Sequence, residues 1–160
     1  MAGKKELVLY YRPRGAANPA KLKGVLVSMG IRIRNIQPDQ LEEQVGYLAG
    51  MEGYGPVNRE NKPERFGEAE ELTREALVMY QFTEARLEEF LLRFRKAGVP
   101  RVELKAVVTQ TNAAWSFRQL YQELCREHQE IERQRAERQM QEKQEQEKQE
   151  IQKQEQEKRG

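Results

Sequence analysis

The sequence predicts an α/β domain: a small flavodoxin-like three-layer sandwich with four parallel strands in the order 2-1-3-4. It is expected to form from two βαβα halves, with a long C-terminal helix after them. Three observations carry this. Glu75–Thr109 reads as strand, helix, glycine stop and strand, one βαβ unit. A second unit of the same kind begins at Leu7. Two of the four strands are apolar throughout, as strands covered on both faces should be, while the other two alternate apolar and charged residues as edge strands do.

The elements follow in chain order. Leu7–Tyr11 (LVLYY) is an uninterrupted apolar run and predicts a buried strand. Asn18-Pro19 supplies a cap and a proline at the first helical position. Leu22, Val25, Leu26 and Met29 then recur at i, i+3, i+4 and i+7, one apolar stripe that runs to a stop at Gly30. Ile31-Arg32-Ile33-Arg34 alternates as a half-covered strand. Pro38 opens a second helix, with Leu41, Val45 and Leu48 inward and Gly50 at its end.

The second half repeats the plan. Ala76–Tyr80 is its apolar strand, and Thr83 caps a helix with Leu87, Phe90, Leu91 and Phe94 on one stripe. Gly98 and Pro100 close that helix before a strand in Val102–Val108. The halves align with Leu7-Val8-Leu9-Tyr10 on Leu77-Val78-Met79-Tyr80, the second helix being about one turn longer. Leu9, Leu26, Leu77, Met79, Leu91 and Leu104 are the expected deep core. Because the middle strands of a ferredoxin-like fold pair without an intervening helix, that arrangement is disfavoured.

Residues 1–128 are therefore expected to form one domain, with 51–74 as a flexible loop between the halves and 129–160 as a low-complexity charged helical tail. The loop is rich in Gly, Glu, Pro and Asn, a composition that favours disorder, with Tyr54, Val57 and Phe66 as possible anchors. Gly50–Gly55 follows a helix instead of a strand, so it is no phosphate cradle. Thr111-Asn112 caps the last helix, which carries Phe117, Leu120, Tyr121 and Leu124 on one face. From Gln141 lysine recurs every fifth residue, an advance of about 500° that keeps no face in register. Ile131, Met140 and Ile151 supply no heptad seam, so a solvated, fraying helix is expected, with a dimerising coil as the minor alternative. Glu145–Lys148, Glu150–Lys153 and Glu155–Lys158 are spaced to support the helix locally.

Charge narrows the function classes. The net charge is +2, too small for polyanion binding by bulk attraction, which argues against nucleic acid. Its distribution is uneven: residues 1–36 hold eight Lys and Arg against one acid, and residues 37–75 hold four against ten. A single cysteine, Cys125, excludes an intrachain disulfide and suits a reducing compartment. No apolar run approaches the ~20 residues of a membrane span, and the first residues lack a signal-peptide core, so a cytoplasmic protein is expected.

The motifs MGI (Met29–Ile31), GYLAG (Gly46–Gly50), MYQFT (Met79–Thr83), LRFRKAGVP (Leu92–Pro100), LKAVVTQTN (Leu104–Asn112) and the Trp115–His128 run resemble a small bacterial family, domain of unknown function 3783. The resemblance covers roughly Glu6 to His128, most specifically in the second half. It implies a single bacterial domain with no assigned activity, so it transfers no catalytic residue.

In an open parallel sheet, ligands sit beyond the carboxyl ends of the strands where the winding reverses. That places Arg12, Arg14, Gln81, Thr83, Thr111 and Asn112 around one expected crevice, able to hold a small anion. Helix caps are expected at Thr83 and Asn112 in any case. Cys125 and His128 lie i, i+3, but no other cysteine or histidine exists to complete a zinc site, so no metal is expected. The same scarcity removes Cys-His and Ser-His-Asp catalysis. Trp115 is expected to clamp the last helix to the sheet, and Tyr10 and Tyr80 to be core residues with their hydroxyls paired at the rim. No catalytic signature is present and no cofactor is indicated. The expectation is a non-catalytic binding or regulatory module, monomeric or weakly dimeric, whose partner is a small anionic ligand or a protein. Two alternatives stand beside it: an enzyme acting on a phosphorylated or carboxylated substrate in that crevice, and an adaptor acting through the C-terminal helix.

Overall fold

A computed structural model describes residues 6–16, 18–57 and 72–159. Contacts divide the chain into two units, 1–124 and 125–160. The first unit holds strands β1 (Leu7–Tyr11), β2 (Arg32–Asn35), β3 (Ala76–Tyr80) and β4 (Leu104–Val107). Between them lie helices α1 (Ala20–Ser28), the short α2 (Val45–Leu48) and α3 (Glu84–Ala97). Helix α4 (Phe117–Arg159) begins in the first unit and supplies all of the described second unit.

The sheet order is β2-β1-β3-β4, as the burial pattern of the strands predicts. The expectation of four parallel strands needs correction. β1 pairs parallel with β2 and β3 with β4, but β1 and β3 run antiparallel, with Leu7 opposite Tyr80 and Tyr11 opposite Ala76. The sheet is mixed, and the flavodoxin-like expectation loses its basis, because it required parallel central strands.

The two βαβ halves therefore meet head to tail, and both crossover helices lie on one face. Val8 and Tyr10 of β1, Leu77 and Met79 of β3, Leu22, Val25 and Leu26 of α1, and Phe90 and Phe94 of α3 form one buried cluster. This shifts the alignment of the halves by one residue. The same-face equivalent of Val8 is Leu77 and that of Tyr10 is Met79, since alternate strand residues face opposite ways.

The other face carries residues 41–48 and the start of α4. The Tyr11 ring lies 6.3 Å from Phe117 and 6.2 Å from Tyr121, and the Arg34 guanidinium donates to the Leu48 carbonyl at 2.8 Å. In place of one helix from Pro38, the chain forms a 3-10 turn over Pro38–Gln40 and then α2. Leu41, Val45 and Leu48 are buried as expected. The break at 41–44 lets this segment zip onto the one before α4. Val45 N–H donates to the Trp115 carbonyl at 2.9 Å, Phe117 N–H to that of Glu43 at 2.9 Å and Arg118 N–H to that of Leu41 at 2.9 Å. Trp115, half-buried, therefore joins the layer through its backbone.

Five of the six expected deep-core residues are buried, but Leu91 is half-buried. The stripe of α3 centres on Phe90 and Phe94, whose rings lie 4.2 Å apart, and Leu91 falls on its margin. Gly98 ends α3 in the left-handed conformation at φ 69°, which glycine adopts without strain. The flanks of the 51–74 connection are tied down. A Cβ on Gly46 would meet the Tyr54 ring at 2.8 Å, Val57 N–H donates to Glu43 at 2.8 Å, and the Tyr11 hydroxyl donates to the Leu72 carbonyl at 2.8 Å. Phe66 and the rest of the expected flexible loop at 58–71 lie outside the described residues.

Candidate functional site

Antiparallel pairing of β1 with β3 decides where side chains can converge. The carboxyl end of β1 lies beside the amino end of β3, so the six expected ligand residues fall at two opposite ends of the sheet. Arg12 and Arg14 follow β1 at one end. Gln81 and Thr83 follow β3, and Thr111 and Asn112 follow β4, at the other. The crevice expected between β1 and β3 is not assembled.

At the β3–β4 end the polar groups are occupied by local structure. Thr83 Oγ1 accepts the Arg86 N–H at 3.2 Å and caps α3. Asn112 is buried, and its side chain accepts the Thr109 N–H at 2.8 Å and donates to the Val107 carbonyl at 3.0 Å. Its own N–H donates to Thr109 Oγ1 at 3.1 Å, so Asn112 staples the loop after β4 instead of capping α4. That cap falls to Ser116, whose hydroxyl accepts the Gln119 N–H at 3.1 Å. Thr111 is exposed, and Gln81 is half-buried with φ at 65°, a left-handed conformation uncommon outside glycine.

The β1–β2 end holds a crevice of about 270 Å³. Arg12, Arg14, Lys23, Asn35 and Gln37 line it, above Tyr10. The parallel pairing of β1 with β2 puts the loops after both strands at this end, and Lys23 joins them from the first turns of α1. No acidic residue occurs in the first turn of α1, nor among the described residues that line the crevice. Arg12 donates to the Ala16 carbonyl at 2.8 Å and so holds the loop in shape, while Arg14 is exposed. Tyr10, buried, donates its hydroxyl to the Glu75 carboxylate. Burial first, and that hydrogen bond second, push the Tyr10 phenol above its ordinary pKa, so it stays protonated. Three cations around a small polar hollow suit a compact anion, since charge-assisted hydrogen bonds are the strong ones.

Sequence reasoning found Arg12 and Arg14 but missed Lys23, Asn35 and Gln37. The signal was available. Any parallel β1–β2 pair places the residues after β2 beside those after β1, whatever β3 does.

Cys125 and His128 both lie on α4 beyond residue 124, where His128 Nε2 sits 3.1 Å from a Glu132 oxygen. Among the described residues no group of three or more His, Cys, Asp and Glu is placed to hold a metal ion. Nor, among them, is any helix long and apolar enough to cross a membrane.

No curated protein and no solved structure matches the chain. Residues 75–131, which run from the start of β3 into α4, match the model of the family described as Domain of unknown function (DUF3783).

Proposed function

We propose that this protein is a non-catalytic binding module that takes a small anionic ligand in the basic crevice at the carboxyl ends of β1 and β2. The observation that carries the reading is the grouping of Arg12, Arg14 and Lys23 around one hollow, with no carboxylate among the described residues of its lining. Among the described residues neither Arg14 nor Lys23 has an acidic partner within the domain, so their charge is available to a ligand. The hollow is slightly below the ~300–1,000 Å³ of drug-sized sites, which fits a phosphorylated or carboxylated metabolite better than a polymer. A binding role is favoured over an enzymatic one because the described residues of the crevice lining include no histidine, cysteine or carboxylate to move a proton. A bacterial cytoplasmic setting, monomeric or weakly dimeric, suits a chain whose one cysteine, Cys125, can form no intrachain disulfide.

Thermal-shift screening of the full chain against nucleotides, sugar phosphates and small carboxylates tests the reading. A ligand present at 100 times its Kd should stabilise by ~2.7 kcal/mol. The shift should vanish in the Arg14→Gln, Lys23→Gln double variant. No shift with any class, or a shift that survives both substitutions, would remove the crevice as the site.

A further inference from the structure

A second hollow, of about 490 Å³, lies between the last turns of α3 and β4. Its origin is a difference between the halves. In the first half the chain passes from Gly30 through one residue, Ile31, into β2 at Arg32. In the second, five residues separate Gly98 from Leu104, and the longer return through Pro100 holds the helix end away from the strand.

The strand chemistry differs too. Ile33, opposite Val8 on the helix-bearing face, packs against the core. The equivalent position on β4, opposite Leu77, is Lys105. Apolar side chains of Leu91, Phe94 and Val102 line the hollow, and Arg95, Arg101 and Lys105 supply three cations to the same lining, with no acid among its described residues. The nearest acid in sequence, Glu103, pairs with Arg74 at 3.8 Å and is not part of the lining. Among the described residues none of the three cations has a carboxylate partner. Burial, and then the charge of Arg101, hold the Lys105 ammonium below its ordinary pKa. An ammonium placed against apolar walls and facing a like charge is costly unless an anion joins it.

We propose that this hollow binds a small amphipathic carboxylate, its hydrocarbon or aryl body against Leu91, Phe94 and Val102 and its acid group between Lys105 and Arg101. The half-exposed state of Leu91 then has a use, because it forms part of the apolar wall. The volume lies within the ~300–1,000 Å³ of small-ligand sites, which combine apolar walls with a few placed polar groups. This site is separate from the crevice at the β1–β2 end, and its lining belongs entirely to the segment that matches the family model.

Titration calorimetry of the full chain with octanoate, and with octanol as the neutral analogue, tests the proposal. Octanoate should saturate one site, with octanol at least tenfold weaker. Lys105→Gln should weaken octanoate at least tenfold while unfolding at no lower temperature than the wild type, and Arg101→Gln should weaken it in the same direction. Equal affinity for octanol and octanoate would overturn the proposal by leaving only an apolar groove. Octanoate binding unchanged in both variants, or no saturable binding at all, would overturn it as well. Arg14→Gln with Lys23→Gln should leave octanoate binding intact, which separates this result from the fate of the other crevice.

Discussion

Arg86 joins three elements through one guanidinium. Its Nε donates to Glu6 beside β1 at 2.5 Å, one terminal nitrogen to Glu89 at 3.1 Å and the other to the Met29 carbonyl after α1 at 2.6 Å. The planar fork suits three fixed acceptors, which a lysine could not satisfy together. The hydrogen bond from Arg86, more than its charge alone, holds the Glu6 carboxyl below the usual carboxylate range. A folded-state pKa depressed in this way contributes stability that is complete above the unfolded value of ~4.3 and is lost as pH falls through the folded value. Both side chains are less than a third exposed, so the pair is screened less than a surface one. Replacing Glu6 by Gln should cost ~1–3 kcal/mol at pH 7, the range for hydrogen bonds to charged groups less what solvent screens. The gap between variant and wild type should close as the pH drops below ~4. Urea titrations of both proteins at pH 7 and pH 3 measure it, and a gap of equal size at the two pH values would refute the assignment.

At the level of elements, α3 makes the clearest stability claim. Phe90 is fully buried, with its ring 5.7 Å from Phe82 and 4.2 Å from Phe94, whereas Leu91 borders an open hollow. Phe90→Ala should cost ~3–5 kcal/mol, and Leu91→Ala distinctly less than the ~2–5 kcal/mol of a fully buried leucine. Denaturant unfolding of the two variants decides this, and equal losses would mean that the hollow is closed in solution. The difference also shows what the sequence made legible. Strand order was readable because it depends on how many faces are covered, and Leu7–Tyr11 and Ala76–Tyr80 declare two covered faces by being apolar throughout. Strand direction was not readable. An alternation of period two reads the same in both directions, so nothing in Ala76–Tyr80 distinguishes a parallel neighbour from an antiparallel one. Nor does the 51–74 connection between the halves have a sequence periodicity to interpret. The candidate site inherited that ambiguity: Arg12 and Arg14, read from β1 and its own loop, stand together, while Gln81, Thr83, Thr111 and Asn112 were attached to them only through the assumed direction of β3.

For the whole molecule, the question is how much of the chain the fold needs. Among the described residues none after Leu124 is buried, and every one from Gln129 to Arg159 is exposed. The three large apolar side chains there, Ile131, Met140 and Ile151, are 48%, 64% and 56% exposed, so no stripe is covered. The spaced pairs Glu145–Lys148, Glu150–Lys153 and Glu155–Lys158 are not closed as ion pairs either, although elsewhere in this unit Arg133 meets Glu130 at 2.6 Å. The helix therefore rests on the intrinsic preference of Gln, Glu, Lys and Arg for helical backbone, a preference of tenths of a kcal/mol per residue that asks nothing of the rest of the chain. We predict that deleting residues 139–160 leaves the domain folded, its thermal midpoint essentially unchanged and its mass state the same, because the removed residues bury nothing. Removal of exposed residues away from caps and core contacts should alter stability by no more than ~0.5 kcal/mol. The competing outcome is specific. Met140 and Ile151 are eleven residues apart, about 20° from the same helix face, and an eleven-residue period is that of a right-handed coil. Were such a coil to form between two copies, light scattering would give a dimer for the full chain and a monomer after truncation, together with a fall in the helical signal larger than the deleted residues account for. A single mass state shared by both proteins, with helical signal lost only in proportion to length, is the result expected from side chains this exposed.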